Sequence, residues 1–286
     1  MANTNRRGTP GGETSAGGTD PLAEARAALR EVVPELVGLV RSIPDPNAAS
    51  IGTWRVGDVA AHLSHVFRTD SDALAERPLP RVTVTTAGMA ELTATWLAED
   101  SERHPSVLAD RIDELADRFD EIASRCTSTE VGWLEGARLA PAAVACHLLE
   151  ECLVHGHDIA KPMRRPWPIR RRHALQAVEG GALPIIAALP PTAFLNQERA
   201  RTFRARFDIR LRGGGRTQLV FDDGSLKLAS DTGDNADAHV CAEASSLMLV
   251  FFGRQGIWKP IASGKLTAWG PRPWKLARML DVTSPP

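Results

Sequence analysis

Glu151 and His155 stand four residues apart in a stretch of helical periodicity. That spacing puts both side chains on one helix face, a turn from each other. A carboxylate oxygen and an imidazole nitrogen one turn apart can share a cation, since both bind zinc at about 2 Å. Two ligands are too few. A third is expected from a facing helix, as in metal-binding bundles, and His62, set among Val59, Leu63 and Val66, is the candidate. His65 and His157 compete for the same role, and His147 lies one turn before Glu151. On residue types alone another reading stays open: such a Glu/His pair also occurs as an exposed hydrogen-bonded pair, and a mid-helix histidine as a satisfied core group.

The elements that must position these groups are mainly helical. Residues 1–20 are rich in Gly, Thr and Ser and nearly free of large apolar residues, so they read as a disordered tail. Asp20-Pro21 signals a helix start. Apolar positions at helical spacing then predict helices over Pro21 to about Ile43 (with Pro34 interrupting or kinking it), Val56–Ala75, Ala87–Glu99, Pro105–Cys126 and Pro141–Ala160. Thr53 is the expected outside cap of the second. Four or five such helices predict an antiparallel bundle over residues 21–162.

The stretch Lys161–Arg172, KPMRRPWPIRRR, carries three prolines and six basic residues and marks a domain boundary; Arg170–Arg172 read as a solvated linker. From 163 to 286 the pattern becomes α+β. A helix is expected over Arg172–Leu189. Phe203–Leu211 alternates with period two, placing Arg204, Arg206, Asp208 and Arg210 on the solvent side of a strand. Shorter strands follow at Thr217–Phe221, Leu226–Ala229 and Ala238–Cys241, with helices at Ser245–Phe252 and Trp274–Leu280. Residues 255–274 read as a loop whose Trp258, Trp269 and Trp274 could line a cavity.

Composition excludes several classes. The chain has 286 residues, is 43% apolar and 24% charged, and balances 34 basic against 35 acidic residues. No basic excess points to a nucleic-acid partner. No apolar run is of membrane length, and the start lacks the apolar core expected of a signal peptide. The four cysteines form no CxxC pair, which suits reduced thiols and a cytoplasmic location. With no tyrosine in the sequence, proton transfer falls to His, Asp, Glu, Lys, Cys or water.

TWRVGDVAAHL at 53–63 and EECLVHGHDIA at 150–160 resemble the two signature stretches of the mycothiol-dependent maleylpyruvate isomerase family, in the right order and at the right separation. The resemblance covers most of 20–160 and extends more loosely over 172–286. It implies a DinB-like four-helix bundle followed by a sterol-carrier-like α+β domain. It implies His62, Glu151 and His155 as metal ligands, zinc being the expected ion, and a small-molecule thiol, mycothiol, as cofactor. Asp158 matches a family position and is expected either to orient a ligand imidazole or to serve only as a charge near the helix end. His157 departs from the bulky residue that family members often carry there. Arg254, in Phe251-Phe252-Gly253-Arg254, resembles the family's "GR" segment and is expected to bind a carboxylate of substrate or thiol, or else to be a surface arginine.

Three protein ligands leave one coordination position open, as a catalytic zinc requires. In the resembled family the thiolate of mycothiol adds to a cis double bond, the resulting single bond rotates, and elimination gives the trans product. No protein cysteine is needed, so Cys146 and Cys152 are expected to be packing residues. The expectation is therefore a mycothiol-dependent isomerase or S-transferase acting on a small electrophile. The rival is a non-catalytic carrier of an apolar ligand, with the metal structural or absent; a bundle that has lost activity and acts as a regulator is a third possibility. Substrate and oligomeric state stay open.

Overall fold

The computed structural model describes residues 20–134, 136–229 and 235–283. The expected tail, 1–20, falls outside these apart from Asp20. Helix α1, Pro21–Arg41, begins where its sequence signals placed it: the Asp20 carboxylate accepts from the Leu22 N–H at 3.0 Å, with Pro21 in the first turn. It runs on through Pro34 without ending. Helix α2, Val56–Leu74, is capped differently from expectation. Thr53 takes no part; the Arg55 backbone N–H donates to Asp58 Oδ2 at 2.8 Å, so the carboxylate three residues on closes the turn.

Helices α3 (Thr86–Glu99), α4 (Pro105–Arg125) and α5 (Pro141–Ala160) follow. The bundle is α1, α2, α4 and α5: α1 packs on α4 and α5, and α2 packs on the same two. Helix α3 has no buried residue and leans on α2 and, to a lesser extent, on the 3-10 turn Pro191–Ala193. Its apolar side chains Met89, Leu92 and Trp96 are therefore free to form a cavity wall. Between α4 and α5 lies a hairpin that sequence periodicity missed, β1 (Val131–Trp133) and β2 (Ala137–Leu139), paired from Val131↔Leu139 to Trp133↔Ala137. Three-residue strands are too short to show an alternation.

The basic linker is pinned at its middle. Trp167 donates from Nε1 to the Leu153 carbonyl at 2.9 Å and lies on Gly156, where an added Cβ would come within 2.3 Å of the ring. Arg170 pairs with Glu35 and Arg172 with Glu31 across to α1, on the exposed surface. Helices α6 (Arg171–Gln176) and α7 (Leu183–Ala188) are joined by a π-helical segment, Ala177–Ala182. That segment packs on α5 through Gly180 and Gly181. A Cβ at Gly181 would meet the backbone of Cys146 and His147 at 2.9–3.0 Å, so this approach requires glycine.

After a 3-10 turn and the four-residue α8 (Gln197–Ala200), the C-terminal half forms one sheet in the order β5-β4-β3-β6-β7. The strands are β3 (Arg204–Leu211), β4 (Arg216–Asp222), β5 (Ser225–Ala229), β6 (Ala238–Ala242) and β7 (Leu266–Trp269). Only β3 and β6 are parallel. Helices α9 (Ala244–Phe251), α10 (Trp258–Ala262) and α11 (Lys275–Val282) complete the α+β half.

Two expectations are corrected here. Residues 255–274 are not one loop, since they hold α10 and β7, and Trp258, Trp269 and Trp274 are exposed rather than cavity-lining. Asp208 does not face solvent with the arginines of β3. It is buried, held by Arg216 (Nε–Oδ1 2.5 Å) and by His239 Nδ1 (2.6 Å), because the neighbouring strands supply a cation and an imidazole on that side.

Candidate metal centre

His62 comes from the middle of α2; Glu151 and His155 come from successive turns of α5. The two helices pack face to face, and three side chains from them converge. His62 Nε2 lies 3.3 Å from Glu151 Oε2, and His155 Nε2 lies 3.2 Å from the same oxygen. The three candidate donor atoms are all within 4.8 Å of one another, and these residues form the one such group among the described residues. Donors bound to one ion at about 2.0–2.1 Å in tetrahedral geometry stand about 3.3 Å apart. The separations from Glu151 Oε2 already have that length. The chemistry of the set, two imidazoles and a carboxylate, is also that of open zinc sites.

The surroundings hold each ligand. Asp158, one turn beyond His155, takes its Nδ1 at 2.9 Å and so turns Nε2 toward Glu151. Arg254, from the C-terminal half, grips Asp158 in turn: Nε lies 3.1 Å from both carboxylate oxygens and Nη2 lies 2.8 Å from Oδ2. Its Nη1 donates to the Phe252 carbonyl at 2.6 Å. On the other side His147 Nδ1 meets Asp70 Oδ2 at 2.8 Å, and its Nε2 stands 3.6 Å from Glu151 Oε1. Trp133 Nε1 donates to the second Asp70 oxygen at 3.1 Å. Trp54 closes over the imidazoles, 5.1 Å from the His62 ring and 6.2 Å from that of His155.

Electrostatics separates the two imidazoles. Burial pushes the His62 pKa down, against its bond to Glu151, which favours a neutral ring able to offer a lone pair. Burial also opposes charge on His155, but hydrogen bonds to Asp158 and Glu151 outweigh it and lift the pKa to about 9. Glu151 is drawn well below the usual carboxylate range: burial disfavours its charge, yet the bonds from His155 and His62 prevail. Without a cation, the pair His155 and Glu151 is thus a buried ion pair around a shared proton. A divalent ion bound there would take the place of that proton.

Of the competing histidines, His65 faces elsewhere, stacked on Trp96 and 3.3 Å from Asp100. His157 is half-buried and lies outside the group. Cys146 and Cys152 are buried, and burial pushes both thiols up, Cys146 to about 12, as suits packing residues.

A cavity of about 400 Å³ opens directly on the three candidate ligands. Its walls come from α2, α3, α5, Trp133 and Leu134 of the hairpin, α7 and residues 251–254, so both halves of the chain build it.

Residues 29–160 match the family model described as the mycothiol maleylpyruvate isomerase N-terminal domain. The match spans the helical half of the chain. Two crystal structures of mycothiol-dependent maleylpyruvate isomerase, one of a histidine-to-alanine mutant, are similar to the chain beyond the matched domain. Each is 13% identical and covers 87% of this chain and 92% of its own, with TM-scores of 0.54 for the mutant and 0.53 for the other. At that identity the likeness is one of fold, a helical bundle followed by an α+β domain. A structure titled "UbiJ-SCP2 Ubiquinone synthesis protein" matches 41% of the chain at 20% identity, with a TM-score of 0.29 that carries no argument. No curated protein matches the chain.

Within the isomerase-like bundle, sequence reasoning missed Asp70 and Glu150. Asp70 is fully buried in α2, two turns beyond His62, and a carboxylate on an apolar helix face is the signal that would have found it. Glu150 is also buried and lines the cavity, masked in the sequence by its neighbour Glu151.

Proposed function

We propose that the protein is a metal-dependent enzyme that uses mycothiol, of the isomerase or S-transferase kind, with zinc held by His62, Glu151 and His155. The observation that carries this reading is the convergence of two imidazoles and a carboxylate at ligand-to-ligand spacing on the floor of a cavity. The match of residues 29–160 to the mycothiol maleylpyruvate isomerase N-terminal domain supports the choice of thiol. A divalent ion held there would lower the pKa of a thiol that reaches it, favouring the thiolate near neutral pH.

The chain's own residues do the rest. Asp158 fixes the His155 tautomer with Nε2 toward the ligand position. Asp70 does the same for His147, whose other nitrogen faces Glu151 Oε1 and is placed to hold a proton there. Trp54 and the apolar walls exclude water, which strengthens every charge interaction inside. Arg254 is a positioning residue: its fork is spent on Asp158, so it acts on the metal site through Asp158 and His155. Free cysteines and the lack, among the described residues, of any helix able to cross a membrane agree with a cytoplasmic setting for such chemistry.

The test is elemental analysis of the purified protein, followed by assays of mycothiol-dependent consumption of electrophiles. About one zinc per chain and strict dependence on added thiol support the reading. Turnover of a hydrolysable substrate without thiol overturns the thiol, and a metal-free protein that still binds apolar ligands favours the carrier.

A further inference from the structure

The cavity beside the candidate metal centre is lined mainly by apolar side chains, with three threonines and the ionisable groups of the site among them. Six aromatic rings contribute, those of Trp54, Trp96, Trp133, Phe194, Phe251 and Phe252. Aliphatic groups such as Leu92 and Ile186 fill the spaces between them. Arg254 is the one arginine or lysine in the lining, and it is already neutralised. Its Nε and Nη2 are engaged by Asp158 and its Nη1 by a carbonyl, so a ligand carboxylate would meet a guanidinium whose charge already has a buried counter-ion. Breaking such a pair costs more than an exposed contact returns.

The other ionisable side chains on the wall leave no unpaired cation for an anion: His147 faces Asp70 and Glu151, His155 faces Asp158 and Glu151, and His62 faces Glu151. Asp70 and Glu151 are carboxylates committed to histidines, and Glu150, 4% exposed, presents an Oε1 with no hydrogen-bond partner. Burying an anion without a paired cation is strongly unfavourable. An apolar body with at most one neutral polar group, placed to meet Glu150, fits the same walls well.

We infer that this site takes an uncharged, mainly apolar electrophile and excludes small dicarboxylates. The inference rests on the thiol-enzyme reading in one respect only: it assigns the open coordination position to the thiol, which leaves the apolar chamber to the second substrate. It sets this chain apart from its structural neighbours, which are isomerases of maleylpyruvate, a compound bearing two carboxylates.

The experiment uses the full zinc-loaded chain and the neutral fluorophore N-phenyl-1-naphthylamine, whose emission rises in apolar surroundings, with quenching of the cavity tryptophans as a second signal. Saturable binding is expected, undiminished by millimolar maleate. Leu92→Asp and Ile186→Asp, at half-buried wall positions that tolerate a polar group, should each weaken the probe tenfold or more while leaving zinc content unchanged. Using two variants guards against one that fails to fold. Displacement of the probe by maleate, or no effect of either folded variant, overturns the inference. Mycothiol-dependent turnover of a dicarboxylate also overturns it while leaving the thiol reading intact. Saturable, cavity-specific probe binding with no thiol-dependent turnover of any electrophile upholds it and overturns the thiol reading instead.

Discussion

His62 has one useful nitrogen toward Glu151, while its Nδ1 is buried without a partner. Such a ring is poorly satisfied as a hydrogen-bonding group and well suited as a neutral ligand. Replacing His62 or His155 by alanine, or Glu151 by glutamine, should bring bound zinc close to background in elemental analysis, since each removes one of three bonds. Zinc at about 100 times its Kd should stabilise the wild type by about 2.7 kcal/mol. A chelator should therefore lower the wild-type Tm by several degrees and leave the three variants unchanged. Asp208 offers a test away from the site. The hydrogen bond from Arg216, with that from His239, lowers its pKa below 3.8 despite burial. A lowered folded value contributes stability above the unfolded pKa and loses it as pH falls through the folded one. Asp208→Asn should cost about 1–3 kcal/mol at neutral pH, and its deficit against wild type should shrink below about pH 4 in denaturant titrations.

Among the elements, α5 carries the most. It supplies Glu151, His155 and Asp158, and it receives α1, α2 and the π-helical segment on different sides. The last contact depends on two glycines. Gly181→Ala would push a methyl group into the Cys146–His147 backbone, which has no rotamer by which to yield. A loss of about 1–3 kcal/mol is expected by thermal or denaturant unfolding. Because His147 sits at that contact, the same variant should also lower zinc occupancy; full stability and full zinc together would show that α5 does not depend on the close approach. Helix α3 is the counterpart: with nothing buried, it is held mainly by α2 and contributes wall rather than core.

At the scale of the whole molecule, Arg254 joins the halves. It and Asp158 are 96 residues apart, and both side chains are largely buried. The bond runs from the C-terminal half to the residue that orients His155. Arg254→Ala should therefore reduce mycothiol-dependent kcat by about 10–100-fold while zinc content falls far less. Arg254→Lys, with a single ammonium in place of the fork, should recover only part of the rate. Loss of zinc in proportion to activity would mean that the arginine holds the metal and not the geometry around it.

Helical periodicity located all five long helices to within two residues at their ends, and His62, Glu151 and His155 were legible from spacing joined to the resemblance. Those are local properties: a 3.6-residue repeat and an i, i+4 pair are written in consecutive residues. The strands of β3 to β6 were legible for the same reason. What stayed hidden depends on partners distant in the chain. The hairpin at 131–139 and strand β7 are too short to show a period. Asp208 matches the solvent side of β3 until Arg216 and His239 are brought beside it. Asp70 became a site residue only when α5 placed His147 against it. Arg254 was singled out as a binder of outside carboxylates, yet the fold supplies Asp158 as its partner. Sequence determined which groups could meet an ion; only the packing of α2, α5 and the C-terminal half decided how those groups are oriented and what kind of space lies above them, because burial and pairing are properties of neighbours in space and not along the chain.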